Sequence, residues 1–149
     1  MTMLEKAPTM PWISPMLIVK DVDASLKYYA AAFGFEAGGS MQDENGKMNY
    51  ANMMYKGQMV LMLMPEQSWG SPAVTPASSN TPTPVSLFVY VDNVDQQFAQ
   101  AKKTGVKVLS EPTDMFWGDR VTQLQDADGH IWSLATRVAE YQTAETATV

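Results

Sequence analysis

The stretch Asp21-Val22-Asp23-Ala24-Ser25-Leu26-Lys27-Tyr28-Tyr29-Ala30-Ala31-Ala32-Phe33-Gly34 decides the fold, because its outline occurs twice. It reads as a helix. Asp23 is a good N-cap, Val22 can staple onto the first turns, and Leu26, Tyr29, Ala30 and Phe33 recur at i, i+3, i+4 and i+7 before Gly34 closes it. Asn93-Val94-Asp95 follows Asp21-Val22-Asp23 by 72 residues, Gly105 follows Gly34 by 71, and Asp128-Gly129 follows Lys56-Gly57 by 72. Landmarks kept in order and in register mark an internal duplication.

Each copy extends outward from its helix. In the first, Ile13–Val19 is β-branched and apolar and reads as a strand, Phe35–Met41 as another, Asp43–Lys47 as a turn, and Met48–Met54 with Gln58–Met64 as a hairpin around Lys56-Gly57. In the second, Val85–Val91 is the strand, Asp95 caps a helix carrying Phe98 and Ala101, Gly105 ends it, and Val106–Leu109 is the next strand. A hairpin from Val121 to Leu134 turns at Asp128-Gly129. Each unit is thus βαβββ.

Neither unit can cover its sheet edge and apolar face alone. The expected fold is therefore α+β, two βαβββ repeats forming a curved, mostly antiparallel sheet with a concave cleft and the helices outside. The expected organisation is a single domain over residues 1–149. The first unit spans 13–66, a Ser/Thr/Pro/Gly-rich linker 67–84, the second unit 85–137 and a C-terminal tail 138–149.

Composition narrows the function. Sixteen acidic against ten basic residues give a net charge of −6, which argues against nucleic acid as a partner, where clustered Lys and Arg must neutralise phosphates. The chain has no cysteine, which removes thiolate nucleophiles and Cys-ligated metal centres. No apolar run approaches membrane-spanning length and residues 1–12 lack a signal-like apolar segment, so no membrane partner and a cytoplasmic location are expected.

Candidate site residues concentrate in Asp114-Met115-Phe116-Trp117-Gly118-Asp119-Arg120 and the hairpin after it. Trp117 can wall a pocket or pack at the sheet edge or an interface. Arg120 can present its planar fork to a carboxylate or carbonyl, and Asp119 can accept from a cation, or the two can serve each other in the turn. His130, the only histidine, invites a general-base role, yet it sits at a hairpin corner with no nucleophile motif beside it. Trp69 is the lone aromatic of the linker and either packs down or contacts a ligand. Met48, Met53, Met54, Met59, Met62 and Met64 crowd the first hairpin, where one alternating set can line the cleft with adaptable thioethers and the other must join the core. Tyr50, Asn52, Tyr90, Trp132, Ser14, Ser86 and Ser133 would add ring, amide and hydroxyl contacts.

The duplicated βαβββ unit, the Asp-x-Asp start of the first helix with its counterpart Asn93-Val94-Asp95, and the Phe116-Trp117-Gly118-Asp119-Arg120 … Asp126-x-Asp128-Gly129-His130-x-Trp132 signature resemble the vicinal oxygen chelate superfamily. That superfamily comprises glyoxalase I, extradiol dioxygenases, fosfomycin-resistance transferases and bleomycin-resistance binding proteins. The resemblance covers roughly residues 13–137. It implies metal ligands, His or Glu, from the first and last strand of each unit. Carried onto this chain, those positions fall on Ser14, on Leu61 or Met62, on Ser86 and on Ser133. These side chains do not hold a divalent ion, and Glu36, Glu66 and Glu111 stand at no matching position. What the resemblance then implies is the metal-free, bleomycin-resistance-like branch, with no cofactor. Such a protein is a homodimer that binds a small-molecule ligand and sequesters an antibiotic or toxic metabolite. The alternative is a lyase or isomerase acting on a small oxygenated substrate through His130 or Arg120.

Overall fold

The structure, a computed structural model, describes residues 1–140. The part of the expected tail beyond Glu140 lies outside the described residues. In chain order the elements are β1 (Met16–Val19), α1 (Val22–Phe33), β2 (Glu36–Gln42), β3 (Met48–Tyr55), β4 (Gln58–Pro65), α2 (Pro76–Ser79), β5 (Ser86–Tyr90), α3 (Val94–Lys102), β6 (Lys107–Asp114), β7 (Asp119–Gln125) and β8 (Ile131–Arg137). The βαβββ order is present twice in an α+β fold. The strands form two four-stranded sheets, β1-β4-β3-β2 and β5-β8-β7-β6. Each has one parallel pair, first strand on last, and two antiparallel pairs.

The helices start two residues earlier than Asp23 and Asp95 suggest. Asp21 caps α1 by accepting from Ala24 N at 2.8 Å, and Asn93 caps α3 by accepting from Gln96 N at 3.1 Å. Two carboxylates bracket Val22, and either could cap. The valine decides, because Val22 and its counterpart Val94 are buried and contribute most when held inside the first turn. Asp23 and Asp95 then fall in that turn, where a negative charge favours the helix dipole.

Both edge strands, β6 and β2, depart from regular pairing. The segment beyond Leu109 continues as β6 through Pro112 to Asp114, which is tolerable because β6 is an edge strand with a register shift on either side of Ser110. In the first unit's sheet, edge strand β2 bulges at Gly38-Gly39, where the Asn52 side chain occupies the space a Cβ at Gly38 would need and accepts from Gly39 N at 3.0 Å.

The chain divides into two compact units, Met1–Thr75 and Pro76 onward, and the boundary lies inside the Ser/Thr/Pro-rich segment. Its first half folds back on the first unit, with Glu66 Oε1 accepting from the Thr75 N–H and hydroxyl at 3.0 and 2.8 Å. Its second half forms α2, which sits on the β7–β8 loop through Ala77 N to Asp128 O at 3.0 Å.

In each unit one sheet face meets the helix and the other is open. In the first, α1 packs on β3 and β4, burying Tyr29 and Phe33 near Phe35 and over Ala51, Met53, Leu61 and Leu63. Alternation sends Met54, Met62, Met64, Tyr50 and Asn52 to the open face, so the methionines of the hairpin divide: Met53 and Met59 are core, and the others are not. In the second, Val94 N donates to Thr136 Oγ1 at 2.8 Å, and Arg120 reaches Asp95 in the first turn of α3. These bonds fix the helix side of β7 and β8, on which Leu124, Trp132 and Leu134 are buried. Among the described residues no helix is long and apolar enough to cross a membrane.

Candidate functional site

On the open face of the second sheet lies a cavity of about 450 Å³, within the roughly 300–1,000 Å³ range of small-molecule sites. Alternation builds it. Phe88 on β5 and Ser133 on β8 are ladder partners, and Val121 and Gln123 project from β7 between its helix-facing residues. Ser110 and Thr113 come from edge strand β6, and Met115 and Trp117 from the turn between β6 and β7. The lining is two aromatic rings, two aliphatic or thioether side chains, three hydroxyls and one amide.

A single carboxylate fixes its walls. Asp119 opens β7 and is 1% exposed. Its Oδ2 accepts from Trp117 Nε1 at 2.8 Å and from the Tyr90 hydroxyl at 2.7 Å. Tyr90 stands edge-on to Phe88, with ring centroids 5.3 Å apart. The two aromatic walls, Phe88 and Trp117, are thereby connected through Tyr90 and Asp119. Asp119 Oδ1 is buried with no hydrogen-bond partner among the described residues. The hydrogen bond to Asp119, some loss of hydration and the carboxylate's charge hold the Tyr90 phenol above its ordinary value near 10, with Arg137 pulling it the other way.

The turn that carries Trp117 is tightly specified. Gly118 has φ +100°, donates to Met115 O at 3.0 Å, and accepts at its carbonyl from Val138 and Ala139 N. A side chain there would run into the Ala139 carbonyl oxygen. Only glycine satisfies both demands.

The structure brings Trp117, Asp119, Tyr90 and Ser133 together and separates the other candidates from them. Arg120 points to the helix side, where its Nε donates to Asp95 at 3.0 Å and its Nη1 to Asp114 at 2.9 Å. Those two carboxylates raise its pKa and occupy its fork. Trp132 is also helix-facing and 1% exposed, with Nε1 donating to Asp126 Oδ2 at 2.9 Å. His130 is buried in the β7–β8 loop, its backbone N–H bound to Asp126 Oδ1 at 2.9 Å, and it lines no part of the cavity. Trp69 is 65% exposed on left-handed backbone in the loop after β4. Tyr50 and Met62 are half-buried on the open face of the first sheet.

At the positions to which the resemblance carries metal ligands, the donors do not fit a metal. Ser14 precedes β1, Ser86 is an exposed hydroxyl and Ser133 a cavity hydroxyl. Leu61 is 1% exposed against α1, so Met62, the ladder partner of Met16, is the side chain facing the open side there. Hydroxyls and a thioether are poor ligands for a hard divalent ion. Among the described residues no three or more His, Asp or Glu side chains come together in a metal-holding group.

Sequence reasoning passed over Phe88, Ser110, Thr113, Met115, Val121 and Gln123. Alternation from Asp119 could have found Val121 and Gln123, and alternation from Tyr90 could have found Phe88. Ser110 and Thr113 depended on recognising β6 past its proline. A second hollow, about 420 Å³, lies between α2 with the segment after it and the β7–β8 loop, bounded by Pro76, Asn80, Thr83, Asp126 and Gly129 among others.

Comparison with known proteins is consistent across sequence and structure. Residues 10–134 match the model of the Glyoxalase/Bleomycin resistance protein/Dioxygenase superfamily. An uncharacterised protein of Mycobacterium bovis is 33% identical over 137 residues, covering 91% of this chain and 89% of its own, and one of Mycobacterium tuberculosis H37Rv is 33% identical over 91% and 79%. Among solved structures, TioX from a Micromonospora species superimposes with TM-score 0.64 at 22% identity, covering 89% of this chain and all of its own. The fosfomycin resistance protein FosX from Listeria monocytogenes does so with TM-score 0.61 at 18% identity, over 85% and 93%. The chain belongs to the glyoxalase/bleomycin resistance protein/dioxygenase superfamily, the vicinal oxygen chelate fold.

Proposed function

We propose that this protein is a metal-free small-molecule binding protein of the bleomycin-resistance type, which sequesters an aromatic compound in the cavity on the open face of its second sheet. The observation that carries the reading is the lining itself: Trp117 and Phe88 offer ring faces, Val121 and Met115 apolar surface, and Ser110, Thr113, Gln123 and Ser133 a polar edge for orientation. It supplies no carboxylate, imidazole or amine for proton transfer, which favours binding over a lyase or isomerase reaction. The serine, leucine and methionine at the family's ligand positions favour the metal-free branch.

Equilibrium dialysis of purified protein against a panel of planar aromatic compounds, with and without a chelator, tests this. Stoichiometric binding that the chelator leaves unchanged is the expected result. A stoichiometric divalent metal surviving purification, or binding abolished by the chelator, would overturn it.

A further inference from the structure

The cavity in the second unit contains no formally charged side chain. We infer that its ligand is an electrically neutral, planar aromatic molecule with carbonyl, amide or hydroxyl groups on its edge. This rests on the binding role proposed above and adds the chemical class that the site selects.

The ionised groups around the cavity line no part of it: Arg137, the ladder partner of Asp119, is near enough to act on Tyr90 and pairs with Glu140 at 3.6 Å. Arg120 and Asp114 bond to each other, and Arg120 also holds Asp95 on the helix side of the sheet. Asp119 stands next to the cavity in sequence, yet it is 1% exposed and does not line it. Its Oδ2 is shared by Tyr90 and Trp117. Because the Trp117 indole N–H is given to Asp119, that ring presents only its π surface to a ligand. Polar recognition falls to Ser110, Thr113, Gln123 and Ser133, which are neutral groups that both donate and accept.

Magnitudes favour a neutral guest over either ion. A cation over Trp117 or Phe88 would gain only the modest attraction of the ring faces. Taking a full charge out of water with no opposite charge in the lining costs more than the ring faces return. An anion would lose its hydration with no arginine or lysine in the lining to replace it. A neutral ring loses little on desolvation, and its carbonyl or hydroxyl can exchange water for serine, threonine or glutamine partners.

Three probes of one ring system and closely similar size test the inference at neutral pH: naphthamide, naphthoate and naphthylmethylammonium, each titrated into the full chain by equilibrium dialysis. Naphthamide is expected to bind about tenfold or more tightly than both ions. Gln123→Glu, which places one negative charge in the lining, is expected to weaken naphthamide and raise the ammonium probe at least to parity. Preference for either ion in the wild-type protein overturns the inference while leaving the binding role intact. Neutral preference that Gln123→Glu does not shift also overturns it, since selection then arises outside this lining. If none of the three binds, the binding role itself fails, and the inference with it.

Discussion

Tyr90 and Trp117, from β5 and from the turn before β7, donate to the same oxygen of Asp119, at 2.7 and 2.8 Å. A shared acceptor couples the orientation of two rings that are distant in sequence, and Tyr90 in turn stands against Phe88. The cavity walls are therefore set before any ligand arrives, which lowers the ordering cost of binding.

That shared bond predicts a distinct alkaline titration. The Tyr90 phenol is raised above 10 in the folded chain, chiefly by its bond to Asp119. A raised folded pKa means that the stabilisation is fully present below the unfolded value and is lost as pH climbs through the folded one. Following tyrosinate absorbance, the Tyr90 component, identified by its loss in Tyr90→Phe, should titrate above the ordinary tyrosine value, and Asp119→Asn should bring it back toward that value. Stability to urea should fall above pH ~10 more steeply in the wild-type protein than in Asp119→Asn.

Trp132 and Asp126 are predicted to act on stability and not on binding. The Asp126 carboxylate accepts from Trp132 Nε1 at 2.9 Å, Asp128 N at 3.0 Å and His130 N at 2.9 Å, so Asp126→Ala strands several donors in a buried turn. Urea denaturation should show a loss of about 2–4 kcal/mol. Aromatic-probe affinity, measured where the variant is folded, should stay close to the wild-type value.

Gly118→Ala should cost about 1–3 kcal/mol, because φ +100° is unfavourable for alanine and the new methyl meets the Ala139 carbonyl. As the turn carries Trp117, probe affinity should weaken with it. Dialysis on the folded variant reads that effect apart from the denaturation midpoint.

Arg120→Met should leave probe affinity unchanged and move the denaturation midpoint little. Its partners Asp95 and Asp114 are well exposed, and exposed ion pairs contribute little. Direct titration of the variant with naphthamide checks this.

The repeat was readable because it repeats chemistry. Capping Asp or Asn, a buried Val22 or Val94, and glycines after the helices and in the hairpin turns each answer a local physical demand, and local demands leave marks in sequence. The hairpin glycines agree in position while the turns differ: Lys56-Gly57 is a two-residue turn with φ 50° and 77°, and Gly129 sits in a five-residue loop. The site was only half legible. Trp117 and Asp119 stand out as unusual residues in a turn, but Arg120 looks as functional as Asp119 until strand alternation assigns the two to opposite faces. Trp132 looks like a pocket residue until its indole N–H is seen bonded to Asp126 on the helix side. Phe88, Val121 and Gln123 are ordinary strand residues, made cavity walls only by ladder register and by the open side of the sheet.

The most direct test fills the cavity. Val121→Trp places an indole where the ligand is proposed to lie, on a half-buried strand position that faces away from the helix. With wild-type-like circular dichroism as the check on folding, equilibrium dialysis with naphthamide should show affinity reduced at least about tenfold, a change of about 1.4 kcal/mol. Undiminished naphthamide binding by the folded Val121→Trp protein would contradict the account, because the ligand would then occupy some other part of the molecule.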